Sequence, residues 1–185
     1  VERRDPSAPL TTVGRISAKQ VATALRKVES MSHQQKLAVI EEIYLKQPNL
    51  LASCVVQAKF GADEHTVEFL INILLVCYLA MAESGYEWSL IAVEEQEAHM
   101  ARMVGAIRFS EDIEDPAAAE LARAQYIAAH PEQALLALVV SQCGGWLVQL
   151  AQQNTEKESD KFVMMASMNI VNCIAHAAAQ KRRAS

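Results

Sequence analysis

From Phe69 to Ala82 the chain reads FLINILLVCYLAMA, apolar around the whole circumference of a helix. A helix with no polar face must be hidden by other helices or by a bilayer. The unbroken apolar run is shorter than the roughly 20 residues that a bilayer crossing needs. Asn72 also interrupts it. The reading is therefore a helix enclosed by protein, with no membrane span. The same character returns late in the chain, in FVMMASMNIVNCIAHAAA from Phe162 to Ala179. Two such helices predict an architecture: they lie side by side at the centre of a water-soluble bundle, sheathed by the remaining helices.

Local signals divide the rest. Ser17 with Gln20, and Ser32 with Gln35, have the spacing of capping boxes, in which side chain and backbone satisfy each other's orphan donors. They predict helices at about 17–30 and 33–46. Pro48 opens a third helix at the position where a missing N–H costs nothing, and Gly61 ends it. Asp63 caps the first enclosed helix and Gly85 stops it. Further helices are expected at 87–109 and 116–129, from Pro131 through a kink or close contact at Gly144–Gly145, and at 158–180. Residues 1–16 read as a flexible N-terminal arm and 17–181 as the folded domain, with candidate halves 17–109 and 116–181. The fold class is all-α, a single compact bundle of about eight helices. Aromatics make up 5% of the chain, with 6 glycines and 5 prolines, too few turn residues for an all-β protein.

The halves share a pattern. Leu50, Leu51, Ala52, Val55 and Gln57 recur as Leu135, Leu136, Ala137, Val140 and Gln142, and Tyr44 and Tyr126 precede them. In each half an amphipathic helix, a proline-opened helix and an enclosed helix with a central asparagine follow in order. This is an internal two-fold pseudo-repeat, or it is a chance match of Leu, Ala and Val at helical spacing. The sequence leaves both open.

Net charge is −5, without the basic footprint that releases counterions from nucleic acid. Residues 1–36 carry seven basic and three acidic groups, and residues 37–130 five and fifteen. Arg3, Arg4 and Arg15 in the arm, and Lys181, Arg182 and Arg183 in the tail, are the candidate basic contacts. The four cysteines, Cys54, Cys77, Cys143 and Cys173, have no short pairing pattern, and three sit in apolar runs, as free thiols do in a reducing compartment. A cytoplasmic location is expected.

The densest polar group is on the predicted fifth helix. Glu95 and His99 lie four apart, on one face, and the preceding helix offers His65 and Glu68. If those helices pair antiparallel about Gly85, Glu68 and His99 meet with an axial mismatch of only ~5 Å. Two carboxylates and two imidazoles would then form a candidate zinc or iron site. The Glu-x-x-His spacing of di-iron bundles is missing, since Gln96 stands three before His99. Asn72, Asn169 and Asn172 are amides in apolar surroundings. Such groups cost roughly 1–3 kcal/mol unless hydrogen-bonded, so they fix helix register or hold a ligand's polar end. Cys173 and His176 are three apart, but a catalytic thiol needs an electropositive, partly open site, and this helix reads as enclosed. No Walker loop, G-x-S-x-G, H-E-x-x-H, C-x-x-C or G-x-G-x-x-G motif occurs.

The favoured reading is a non-enzymatic interaction module that contacts another protein or a second copy of itself, without a cofactor. The competing one is a helical bundle that binds a small ligand or a metal, with or without activity. A third, a regulator that meets basic partners through SEDIEDP and Glu94–Glu97, rests on acidic surface alone.

Overall fold

The computed structural model describes residues 14–111 and 115–181. Its helices are α1 (Ala18–Ser30), α2 (His33–Lys46), α3 (Pro48–Val55, continued as a 3-10 turn Val56–Phe60), α4 (Glu64–Glu83), α5 (Val93–Glu111), α6 (Pro116–Ala129), α7 (Gln133–Gln153) and α8 (Asp160–His176). Two short strands, β1 (Tyr86–Trp88) and β2 (Ala179–Lys181), pair antiparallel with Glu87 opposite Gln180. The fold is the expected all-α bundle.

The two enclosed helices form its centre. α4 buries Leu70, Ile73 to Met81 without a gap, and α8 buries Val163, Ala166, Ile170, Val171, Cys173 and Ile174. They pack on each other. Each fully buried Leu or Ile side chain stabilises the fold by roughly 1.5–3 kcal/mol, so this pair carries much of the stability. Around it, α1 covers α4, α5 covers α8, and α3 lies against both. α7 packs on α8 and α1, while α6 bridges α5 and α7.

Both halves repeat this pairing. The first helix of each packs on its fourth, the second on the third, the third on the fourth, and the strands that follow the two fourth helices pair with each other. Matched residues keep their roles: Leu50 and Leu135 are buried, and Val55 and Val140 are exposed. The correspondence fails at Leu51, which is half-buried where Leu136 is buried, and at Gln57, which is buried where Gln142 is exposed.

The local signals are realised. Ser17–Gln20 and Ser32–Gln35 both form capping boxes. The Gln20 amide also donates to the Glu83 carbonyl in the last turn of α4, so one box closes two helix ends. Gly85, with φ of +77°, takes the left-handed turn that lets the chain leave α4 for β1.

Several expectations are corrected. Residues 87–92 do not begin the fifth helix, because their backbone is claimed from outside. Trp88 lies in β1 and donates its indole N–H to the Met81 carbonyl and the Ser84 hydroxyl. The Gln47 and Asn49 amides hold the backbone of Ser89 and Ile91. The last helix ends at His176, since residues 179–181 pair with β1. Pro131 lies in a turn before α7 rather than in its first turn. α7 is one continuous helix, and nothing approaches within 4 Å of where a Cβ would sit on Gly144 or Gly145, so the expected close contact there is not made.

The boundary drawn after residue 16 also moves. Ile16 is buried and Arg15 is a clamp. The Arg15 guanidinium donates to the carbonyls of Ile174, Ala175 and Ala177, each at 2.7 Å, at the negative end of α8. It lies 4.5 Å over the Trp88 ring and pairs with Glu132, whose side chain is fully buried. That carboxylate also accepts from the backbone N–H groups of Arg15 and Ile16. Gly14 permits the approach, because a Cβ there would sit 2.8 Å from both the Glu132 carboxylate and the Pro131 carbonyl. Arg15 is therefore no free basic contact. The rest of the arm, with Arg3 and Arg4, and the tail residues Arg182 and Arg183 lie outside the described residues.

Arg15→Ala would leave the buried Glu132 carboxylate without its counter-charge, with only backbone donors, a change that typically costs about 3–5 kcal/mol. Urea denaturation is expected to register a loss of that size. A loss below about 1 kcal/mol, the value of a surface pair, would mean that the clamp carries no load.

Candidate functional site

Among the described residues, polar or exposed groups gather at several places, three of them around α7 and α8. The first is the seam between α5 and α8. Asn172 sits at its centre, with its carbonyl oxygen 3.1 Å from His130 Nε2 and 3.4 Å from the Tyr126 hydroxyl, and its amide 3.5 Å from Met103 Sδ. The Glu132 backbone N–H donates to His130 Nδ1 at 3.1 Å. Nδ1 is then the bare nitrogen, so Nε2 carries the proton and donates to Asn172. Asn169 donates to the Gln96 carbonyl at 3.0 Å, while its own oxygen and the Gln96 side-chain nitrogen are buried without partners. His99 stacks on His176 with ring centroids 4.8 Å apart. These groups mainly engage one another. Asn169 and Asn172 tie α8 to α5 and to the α6–α7 turn, which is the register role.

The metal candidates are divided between two regions. The expected pairing of α4 with α5 is not made: α5 packs on α8, and α4 and α5 share no extended contact. Glu95 accepts from the Ala92 N–H at the start of α5, and His99 faces His176. His65 and Glu68 face a different opening, next to α7. The four residues are not brought together, and no group of three or more metal-ligating side chains forms among the described residues. Cys173 is buried and its thiol is pushed up to about 12 by that burial, the opposite of an activated nucleophile.

The second place is the opening between α4 and α7, of about 460 Å³. His65, Glu68 and Asn72 line one wall, and Trp146 and Gln149 the other. Phe69 stacks on Trp146 with centroids 4.6 Å apart. Part of the polar lining is already committed: Lys36 donates to Asn72 at 2.8 Å, Asn72 donates to the Glu68 carbonyl, and Lys157 pairs with Asp63.

The third place is the outer face of α7, which sequence reasoning missed. α7 has no charged residue along its 21 positions. Only Leu135, Leu136, Val139 and Cys143 are buried. Ala137, Val140, Gly144, Val148 and Ala151 share the opposite face and are exposed. The signal was available in QALLALVVSQCGGWLVQLAQQ, a stretch too apolar for a helix with one wet side. α4 and α7 are both long and apolar enough to cross a membrane by length and composition, and they share a mean hydropathy of 1.7. They differ in cover: 61% of the apolar window is buried in α4 and 22% in α7.

Set against family models, curated proteins and solved structures, the chain matches none.

The seam gives the fold a pH dependence. Burial holds His130 below the ordinary imidazole value, and burial with the Arg102 charge does the same to His99 and His176. Unfolded imidazoles titrate near 6.5, so just below that pH the unfolded chain binds more protons than the folded one. Stability is then full above about pH 7, falls as pH drops through about 6.5, and levels off below the folded values. The urea midpoint is expected to fall between pH 7.5 and 5.5, and His130→Asn to shrink the fall. A midpoint independent of pH in that window would contradict the placement of these rings.

Proposed function

We propose that this chain is a non-enzymatic interaction module that docks on protein through the outer face of α7. The observation that carries the reading is the contrast in cover between α4 and α7 at equal hydropathy. Water against a contiguous apolar strip is unfavourable by roughly 25 cal/mol per Å², and such strips mark contact surfaces. The residue types fit: small and aliphatic side chains, flanked by uncharged, exposed Ser141 and Gln152 rather than by lysines or acids. Four free, buried thiols suit a cytoplasmic setting. The seam supports the same reading, because Asn172, His130, His99 and His176 engage one another or neighbouring helices.

A photo-activated cross-linking amino acid placed at Val148 in producing cells is expected to give adducts heavier than the chain. The same probe at exposed Lys19 on α1 is the background. Adducts at Val148 no more abundant than at Lys19 would overturn the reading.

A further inference from the structure

We infer that the occupant of the α7 face is a second copy of this chain, packed antiparallel about Gly144; this rests on the reading of that face as a docking surface. The exposed strip runs Ala137, Val140, Gly144, Val148, Ala151, at intervals of three, four, four and three residues. Both the spacings and the residue types read the same in either direction from Gly144. A two-fold contact requires this property, since residue i meets j and j meets i across the axis. Laid antiparallel on its own copy, α7 places Gly144 on the axis. Val140 then meets Val148 of the partner subunit, and Ala137 meets Ala151 of the partner subunit. Intervals of three and four keep the strip on one seam of a left-handed helix pair.

Two further observations favour a copy over an unlike protein. A two-fold axis brings identical charges together, and α7 carries none. An unlike partner is ordinarily selected by complementary charge, and this face offers no charge to complement. At the centre of the strip, nothing lies within 4 Å of the missing Gly144 side chain. Two backbones can therefore approach closely there, as helices do at small residues.

Cysteine substitution reads both the partner and the register. After oxidation, Gly144→Cys is expected to link to itself. Val140→Cys mixed with Val148→Cys is expected to link far more than either does alone. The native cysteines are buried, and the unsubstituted chain is the background. Gly144→Leu fills open space on a helix, so the isolated subunit should be as stable as before or more so. By sedimentation its dissociation constant should rise roughly tenfold or more, a loss that misfolding cannot explain. Val140→Cys linking to itself as readily as to Val148→Cys would overturn the antiparallel register. A monomer at every concentration, with no Gly144→Cys link, would overturn the inference. If Val148 adducts then carry an unlike protein, the docking reading stands without self-association. Adducts confined within one chain, or flotation of the chain with phosphatidylcholine vesicles in place of dimerisation, would overturn both.

Discussion

Two helices without a polar face, packed on each other, must be covered on every remaining side, and the rest of the molecule answers to that constraint. Burying α4 and α8 leaves the other six helices of the described residues to form a sheath, and they do so unequally. α1 and α5 each take one central helix, and α3 reaches both. α7 packs on α8, α1 and α6 and turns the strip from Ala137 to Ala151 outward. Because α7 is as apolar as α4, the sheath carries an apolar helix on its outside. The candidate function follows from this distribution of cover.

The ends of the central pair need a different solution. At the far end of α8 the last carbonyls have no helical partner. Arg15 supplies one, arriving from a segment far away in sequence, and the carboxylate that balances it comes from the start of α7. The same guanidinium covers Trp88 of the ribbon joining the ends of α4 and α8. One side chain thus fixes four parts of the molecule against one another. Along its length α8 is held by amides: Asn169 engages α5, and Asn172 engages α5 and the α6–α7 turn. Polar groups inside this bundle set register, which apolar contact alone does poorly because it lacks direction.

The sequence carried the architecture where the physics is local. Capping boxes at Ser17 and Ser32, the opening at Pro48 and the stops at Gly61 and Gly85 depend on neighbours in the chain. The enclosure of α4 and α8 was legible because a wholly apolar helix must be hidden, and the unbroken run read as too short for a bilayer. What failed depended on distant residues. Nothing in Ser89 to Ile91 announces that Gln47 and Asn49 will hold that backbone, and nothing in Arg15 announces the carbonyls of α8. The metal quartet failed for the same reason: it needed α4 beside α5, and helix pairing is a tertiary fact. The α7 face was legible in principle from the missing charges, but those charges mean little until the helix is seen to lie at the surface.

The account turns on whether the strip along α7 is open in the lone subunit and closed by association. Hydroxyl-radical footprinting across a dilution series measures this directly, with oxidation of Val140 and Val148 compared with that of Leu74 and Leu75 in α4 and of exposed Phe109 in α5. The expected result is strong oxidation of both valines in dilute protein, falling as concentration rises, while Phe109 stays reactive and the α4 leucines stay protected throughout. Valines as protected as Leu74 at every dilution, or as reactive as Phe109 at every concentration, would contradict it.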